Sequence, residues 1–372
     1  MMFNNYRRGR IWWVIALILI ISVISVLVRF ESRPAINVAI VTKLESGTVV
    51  GSSEINTALF FLENHPDCLI NIVKLNDNWD ATTSREVVSR SINNGIQFFI
   101  LSTPSSAAVA SLDLFTGRND SQALNINTSA TTNAMSGLDD NSFRIVPDVS
   151  IEQQNIASYI QTLPGQNILV IQDSGNQSYT DPAFETFSQE MQKFPDKVIK
   201  TVKTKVADFD LTVLEPAFSE KYDILYILAG SYQQVIGNIA QFSLQHKPNA
   251  PIIVTPWART PSVLQTAGPA AEKIILPSQF PSRFEDEKIR NFLERFKKRF
   301  NYEPYSMSLG VYQALEILRK AFQSGHKTPE TVKKFLEETK TFETSLGKVD
   351  FDKFGDQVAP LYFITSFRRE FE

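Results

Sequence analysis

INVAIVT at 36–42, LINIVKL at 69–75, QFFILS at 97–102 and ALNIN at 123–127 are the runs that decide the fold of this 372-residue chain. Each is short, apolar and rich in β-branched or aromatic residues, and the stretches between them, 53–64, 80–94 and 105–115, have helical length and composition. Asp80 stands where a helix N-cap is expected and Gly95 where a helix stops. Strand and helix in strict alternation predict βαβ units wound on a parallel sheet.

The alternation pauses at 128–148, a stretch rich in Ser, Thr, Asn and Asp that reads as too polar for a core element and therefore as a functional loop leading into a second lobe. It then restarts, with helices expected at 151–163, 181–193, 210–219 and 232–246 and strands at 167–172, 198–203, 224–229 and 251–255. The segment 285–339 reads as mostly helical, and 347–367 as two short strands. The predicted fold is thus α/β: two doubly wound lobes, 35–148 plus 280–340 and 149–279 plus 341–372, joined by more than one crossing. Lobes of this kind direct the C-terminal ends of their strands at a shared, hinged cleft.

Ahead of the lobes, IWWVIALILIISVISVLV at 11–28 is eighteen residues without a charge, which as a helix roughly matches the hydrocarbon thickness of a bilayer. Arg7, Arg8 and Arg10 precede it, whereas Arg29 and Arg33 are partly balanced by Glu31. The bias predicts a transmembrane helix with residues 1–10 in the cytoplasm and the lobes outside. A cleaved signal peptide is the alternative; the absence of an A-x-A site after the apolar run favours an uncleaved anchor. The run is followed by no cysteine that a lipid could modify, since Cys68 is the only cysteine.

Of 37 basic and 40 acidic residues, four arginines and one glutamate fall in 1–32, leaving 33 against 39, a balance of −6, for the rest. A mildly acidic body with interspersed charges excludes nucleic acid as a partner. One cysteine allows no internal disulfide, and His65, His246 and His326 have no metal-ligand spacing, so no metal or cofactor is expected. Cys68 reads as a small buried hydrophobe.

The segment GKVDFDKFGD at 347–356 is similar to the G-x-hydrophobic-x-F-D-x-x-G-D strand and turn of the type I periplasmic substrate-binding proteins, in particular the branched-chain amino-acid (leucine/isoleucine/valine) group. SLGVYQA at 308–314 resembles that family's Tyr-x-Ala helix, and Ser46-Gly47 its Ser-Gly loop; the resemblance spans about 35–367. It implies a periplasmic-binding-protein-like I fold, a small-molecule ligand, no enzymatic activity, and an ABC permease or other membrane partner.

By the same resemblance, Ser105 and Ser106 in STPSSA at 102–107, and Ala130 and Thr131 in the Ser129–Thr132 loop, face a ligand carboxylate; capping of its own helix is the alternative for Ser105. Tyr179 and Tyr232 follow strands where the family places aromatic contacts. At Trp257 the resemblance calls for an acidic residue to hold an α-ammonium group, a charge an indole cannot supply. The implied ligand keeps a carboxylate and carries an apolar, aromatic or cationic far end, and Arg259 would repel an ammonium if it faced the cleft.

Catalysis would need a nucleophile with its base or a phosphate loop, and the chain contains no G-x-S-x-G, G-x-x-x-x-G-K-[ST] or H-E-x-x-H. The expected function is extracytoplasmic solute binding for an ABC-type uptake system. A membrane-held sensor or envelope scaffold built on the same fold is the alternative.

Overall fold

The computed structural model describes residues 35–44, 49–116, 123–208, 211–230 and 233–371. Two open sheets carry the fold. Strands β1 (Ile36–Thr42), β2 (Ile70–Asn76), β3 (Phe98–Leu101), β4 (Leu124–Asn127) and β5 (Ser142–Arg144) form the first, in the order β2-β1-β3-β4-β5 with every pair parallel. Strands β6 (Asn167–Asp173), β7 (Val198–Thr204), β8 (Ile224–Leu228), β9 (Ile252–Ile253) and β10 (Ile274–Ser278) repeat it as β7-β6-β8-β9-β10, again all parallel. A hairpin, β11 (Thr341–Thr344) with β12 (Gly347–Asp350), follows, and β13 (Tyr362–Ile364) closes the second sheet antiparallel to β10. In both sheets the second strand lies outside the first, so each has its switch point between its first and third strands.

The central strands FFIL and LNIN are buried at every position, as parallel strands covered on both faces must be. Edge strand β7 instead alternates exposed and half-buried residues and carries Lys200 and Lys203 outward, which discourages pairing with another chain. Around the first sheet pack α1 (Val49–Asn64), α2 (Ala81–Asn93) and α3 (Ser105–Ser111); around the second pack α4 (Val149–Thr162), α5 (Gln177–Met191), α6 (Leu211–Ser219), α7 (Gln233–His246) and α8 (Pro261–Ala267). The chain then returns to the first lobe as α9 (Glu287–Phe300), α10 (Ser306–Gln323) and α11 (Pro329–Thr339). Phe60 of α1 meets Phe292 and Phe296 of α9 edge-on at 5.5 and 5.6 Å, which locks the returning helices onto the early ones. Carboxylates at Asp80, Asp148 and Asp286 accept from first-turn amides and set the starts of α2, α4 and α9.

The chain passes between the lobes three times. Ile145 belongs to the first core and Val149 to the second, Leu276 to the second and Phe280 to the first, and Phe351 to the first and Ile364 to the second. The sequence reading assigned all of 341–372 to the second lobe. Residues 342–351 pack instead with the first core through Phe342, Leu346, Val349 and Phe351, and only the stretch from β13 onward joins the second.

The first and third crossings are tied by a buried ion pair. Arg144, 1% exposed, donates from Nε and Nη2 to Asp356 at 3.1 and 2.6 Å, from Nη1 to the Thr132 carbonyl at 2.7 Å and from Nη2 to Ser136 Oγ at 2.7 Å. Ser136 Oγ in turn donates a hydrogen bond to Asp148 Oδ2 at 2.7 Å. Asp356 reaches this partner through a turn at Gly355 (φ +84°), where a Cβ would stand 2.8 Å from the Phe143 ring. The Gly347–Asp356 signature therefore begins in the first core and ends, at Asp356, in the joint between the first and third crossings.

The stretch 128–148 corrects the sequence reading. It is polar yet largely buried, and 142–144 forms strand β5 beside β4. Its polarity is satisfied internally: Asn127 Oδ1 accepts from the amides of Ser129 and Ala130 at 3.0 and 2.7 Å, and Ser129 Oγ donates to the Thr103 carbonyl at 2.8 Å. Strands β10 and β11 also lie outside the alternation read from the sequence. The expected span 11–28 and the Ser46-Gly47 loop lie outside the described residues. Among the described residues no helix is long and apolar enough to cross a membrane.

Candidate functional site

Both sheets point the C-terminal ends of their strands at one cavity of about 320 Å³. From the first lobe it is lined by Trp79 after β2, Pro104, Ser105 and Ser106 after β3, and Ser129 and Thr131 after β4; from the second by Asn176, Ser178 and Tyr179 after β6, Gly230 after β8 and Trp257 after β9. Met307, on the first turn of α10, completes the wall. The size suits a small organic molecule, and the site occupies the place that two facing doubly wound sheets provide.

Among the described lining residues none is charged. Ser105 does not cap α3: Pro104 holds the cap position without a side-chain bond, which leaves the Ser105 hydroxyl available to the cavity. Ser129 is spent on the Thr103 carbonyl, so the hydroxyls of Ser105, Ser106 and Thr131 are the donors this lobe offers.

In the second lobe Gly230 makes room, since a Cβ there would sit 2.9 Å from Asn176 Nδ2 and 3.0 Å from the Tyr179 ring. Tyr179 donates its phenol to Glu152 Oε1 at 2.5 Å, and Gln153 Nε2 donates to the same oxygen at 2.9 Å. Burial pushes the Glu152 carboxyl up to about 7. Burial, and then the proximity of Glu152, raises the Tyr179 phenol well above its usual range, so it stays neutral. Trp257 meets Tyr179 edge-on at 6.5 Å. The same indole also borders a narrow void of about 10 Å³ with Ser278, Gln279, Phe280 and Met307, at the second crossing between lobes. Trp257 thus stands between the cavity and the hinge.

A cluster of carboxylates lies one layer behind the first-lobe wall. Glu54 and Asp77 are both fully buried; Ser102 Oγ donates to Glu54 Oε1, and Thr103 Oγ1 donates to Asp77 Oδ2 at 2.6 Å. Burial pushes the Glu54 carboxyl up to about 8 against the opposing pull of its Ser102 hydrogen bond. Asp77 Oδ1 in turn accepts from the Trp79 amide at 3.0 Å.

Of the residues named from sequence, Ser105, Ser106, Thr131, Tyr179 and Trp257 come together at this cavity. Ala130 does not reach it: its methyl packs with Ala108 and Met135 and its amide is taken by Asn127. Tyr232 lies outside the described residues. Arg259 does not face the cavity either, being buried against Glu370 at 3.3 Å, where Ser282 also donates to that carboxylate. Trp79, Asn176, Ser178, Gly230 and Met307 were not singled out by the sequence. Trp79 offered a signal, an indole in the polar turn between β2 and the capped start of α2, where packing in a core does not call for one.

A family model described as periplasmic binding protein matches residues 67–368 of the chain. The chain belongs to the periplasmic binding protein family. The resemblance carried by 308–314 and 347–356 is thereby established, as is the α/β fold of periplasmic-binding-protein type. A leucine-binding protein, LivK, of Thermotoga maritima is 17% identical, superposes with a TM-score of 0.72 and shares 87% of this chain and 93% of its own. LivJ of Streptococcus pneumoniae, a branched-chain amino-acid transporter substrate-binding protein in complex with isoleucine, is 18% identical with a TM-score of 0.72, over 89% of this chain and 96% of that one. A solute-binding protein of an ABC transporter from Rhodopseudomonas palustris, in complex with 3,4-dihydroxybenzoic acid, is 15% identical with a TM-score of 0.72, over 86% and 89%. At such identities these likenesses speak to fold alone. No curated protein matches the sequence.

Proposed function

We propose that this member of the periplasmic binding protein family captures a small carboxylate-bearing solute between its lobes, outside the cytoplasm, as the substrate-binding component of an ABC-type uptake system, and performs no chemistry on it. The observation that carries this reading is the cavity itself, where free serine and threonine hydroxyls from one lobe face indole and phenol rings from the other. Hydroxyls on a lining that carries no charged side chain among its described residues can donate to an anionic group; Trp257 and Tyr179 suit an apolar or aromatic remainder. The ligands named for the structural relatives, isoleucine and 3,4-dihydroxybenzoic acid, are both small carboxylic acids.

Calorimetric titration of wild type and Trp257→Ala with a set of small carboxylates tests the reading. The substitution is expected to weaken the bound member by about 1 to 3 kcal/mol, the loss associated with removing a large aromatic contact. Tight binding of leucine that survives Trp257→Ala and is abolished at some buried carboxylate would restore an ordinary amino-acid ligand.

The reading includes membrane tethering by residues 11–28 with the N-terminus inside. Mass spectrometry of membrane-extracted protein is expected to find the N-terminal sequence intact; a soluble product starting near Val26 would contradict the tether. An uncleaved tether also suits a sensor, and genes for a permease and ATPase beside this one, in place of a histidine kinase, would favour uptake.

A further inference from the structure

The wall opposite Trp257 is built at a cost. Trp79 has φ +57°, in the left-handed region that a bulky side chain avoids, and follows Asn78 at +52°, a residue type that tolerates it. Its indole Nε1 is, in addition, buried without a hydrogen-bond partner. Nothing in the packing of the first core asks for this, since the ring takes no part in that cluster. The conformation is held from outside: Asp77 Oδ1 accepts the Trp79 amide at 3.0 Å, Asn76 Oδ1 accepts the Asn78 amide at 3.2 Å, and Asn76 Nδ2 donates to Asn78 Oδ1 at 2.8 Å. The other oxygen of Asp77 fixes Thr103, whose carbonyl holds Ser129. One buried carboxylate therefore sets three parts of the same wall, and strain that is over-determined in this way gathers where a ligand is gripped.

We propose that Trp79 is the specificity-determining residue of the first lobe, that Asp77 is its positioning residue, and that the ligand class is a flat aromatic carboxylate gripped between Trp79 and Trp257. This inference rests on the ligand-cleft reading and narrows it. Two indoles from opposite lobes line one cavity with no charged side chain among its described residues. Closing the lobes on a planar ring covers both of its faces with aromatic surface, whereas a puckered ring or a branched chain of equal size meets the same walls at fewer atoms. An α-ammonium group finds no charge partner on that lining.

The sequence supplies a direct probe. Its four tryptophans are Trp12, Trp13, Trp79 and Trp257, so the tryptophan emission of the full chain carrying Trp12→Phe and Trp13→Phe, excited selectively over tyrosine, comes only from the two residues that line the cavity. Titration of that protein with benzoate, with cyclohexanecarboxylate and with leucine is expected to show saturable quenching by benzoate and an affinity for it ~10-fold above that for cyclohexanecarboxylate. Trp79→Ala should abolish most of that ratio, Trp79→Phe should keep it, and Asp77→Asn should lower it while leaving the fold intact by circular dichroism. Equal affinities for the two rings, or a ratio indifferent to Trp79→Ala and Trp79→Phe alike, overturns the inference. If cyclohexanecarboxylate or leucine binds and responds to Trp257→Ala but not to Trp79→Ala, the cleft reading stands and this inference alone falls. If none of the three moves the emission, this inference falls, and the cleft reading falls with it only if a wider panel of carboxylates also leaves thermal unfolding unchanged.

Discussion

Arg144→Ala is expected to lower the free energy of unfolding by about 3 to 5 kcal/mol, the range for breaking a buried ion pair by removing one partner. The guanidinium is almost wholly buried and donates to Asp356, Ser136 and the Thr132 carbonyl at once. Its removal leaves Asp356 and the nearby Asp148 without their cation, in the joint between the first and third crossings. Desolvated carboxylates left unpaired there cost more than the lost hydrogen bonds. Urea unfolding of wild type, Arg144→Ala, Asp356→Ala and the double variant measures it. The double variant should be closer to Asp356→Ala than the sum of the single losses, because the pair is lost only once. A loss below about 1 kcal/mol for Arg144→Ala would show the pair to be no stronger than one on the surface.

A second large effect concerns pH. Glu54 is fully buried, and burial raises its carboxyl from 4.5 to about 8. In the unfolded chain it ionises near its ordinary value, so the stability that comes from keeping it protonated is complete below about pH 4.5 and is lost as pH rises through about 8. Over that window the group alone withdraws roughly 3 to 5 kcal/mol. Glu152 and Asp140, each raised to about 7 by burial, slope the same way. Glu54→Gln keeps an oxygen for the Ser102 hydroxyl and carries no charge. Its stability relative to wild type should therefore increase steadily between pH 5 and pH 8, and urea midpoints at several pH values give the difference directly. A difference that does not vary with pH would mean that Glu54 titrates normally.

How far the sequence leads depends on what each residue's neighbours are. Strand β1 falls at Ile36–Thr42 as its apolar run requires, and Asp80 caps α2, because burial on both faces and local capping are properties of the segment alone. Strand β5 and the buried loop before it are not legible in that way. A polar run is excluded from a core unless its partners are known, and the partners here are Asn127, Thr103 and Asp356, the last 212 positions away from Arg144. The hairpin β11–β12 is short and polar at alternate positions, so its membership of the first core depends on Phe342 and Val349 meeting helices from elsewhere in the chain.

The site divides along the same line. The family resemblance points to Ser105, Ser106, Thr131 and Tyr179, and they meet because the doubly wound order gathers strand-to-helix loops at one edge. Ala130 sits one residue from the cavity, yet the Asn127 side chain takes its amide, a contact that no spacing rule anticipates. Trp79 depends on a backbone conformation that the sequence does not announce, set by a carboxylate two residues earlier.

The central claim, capture of a small carboxylate between the lobes, is tested most directly by thermal unfolding of the full chain in the presence of a panel of aliphatic and aromatic carboxylates, amino acids and their amides. A true ligand at a hundred times its dissociation constant should stabilise the folded protein by about 2.7 kcal/mol, so at least one carboxylate should raise the melting temperature, its amide should not, and Trp257→Ala should shrink the shift. A panel in which no carboxylate moves the transition, or in which the amide does as well as the acid, would contradict the account.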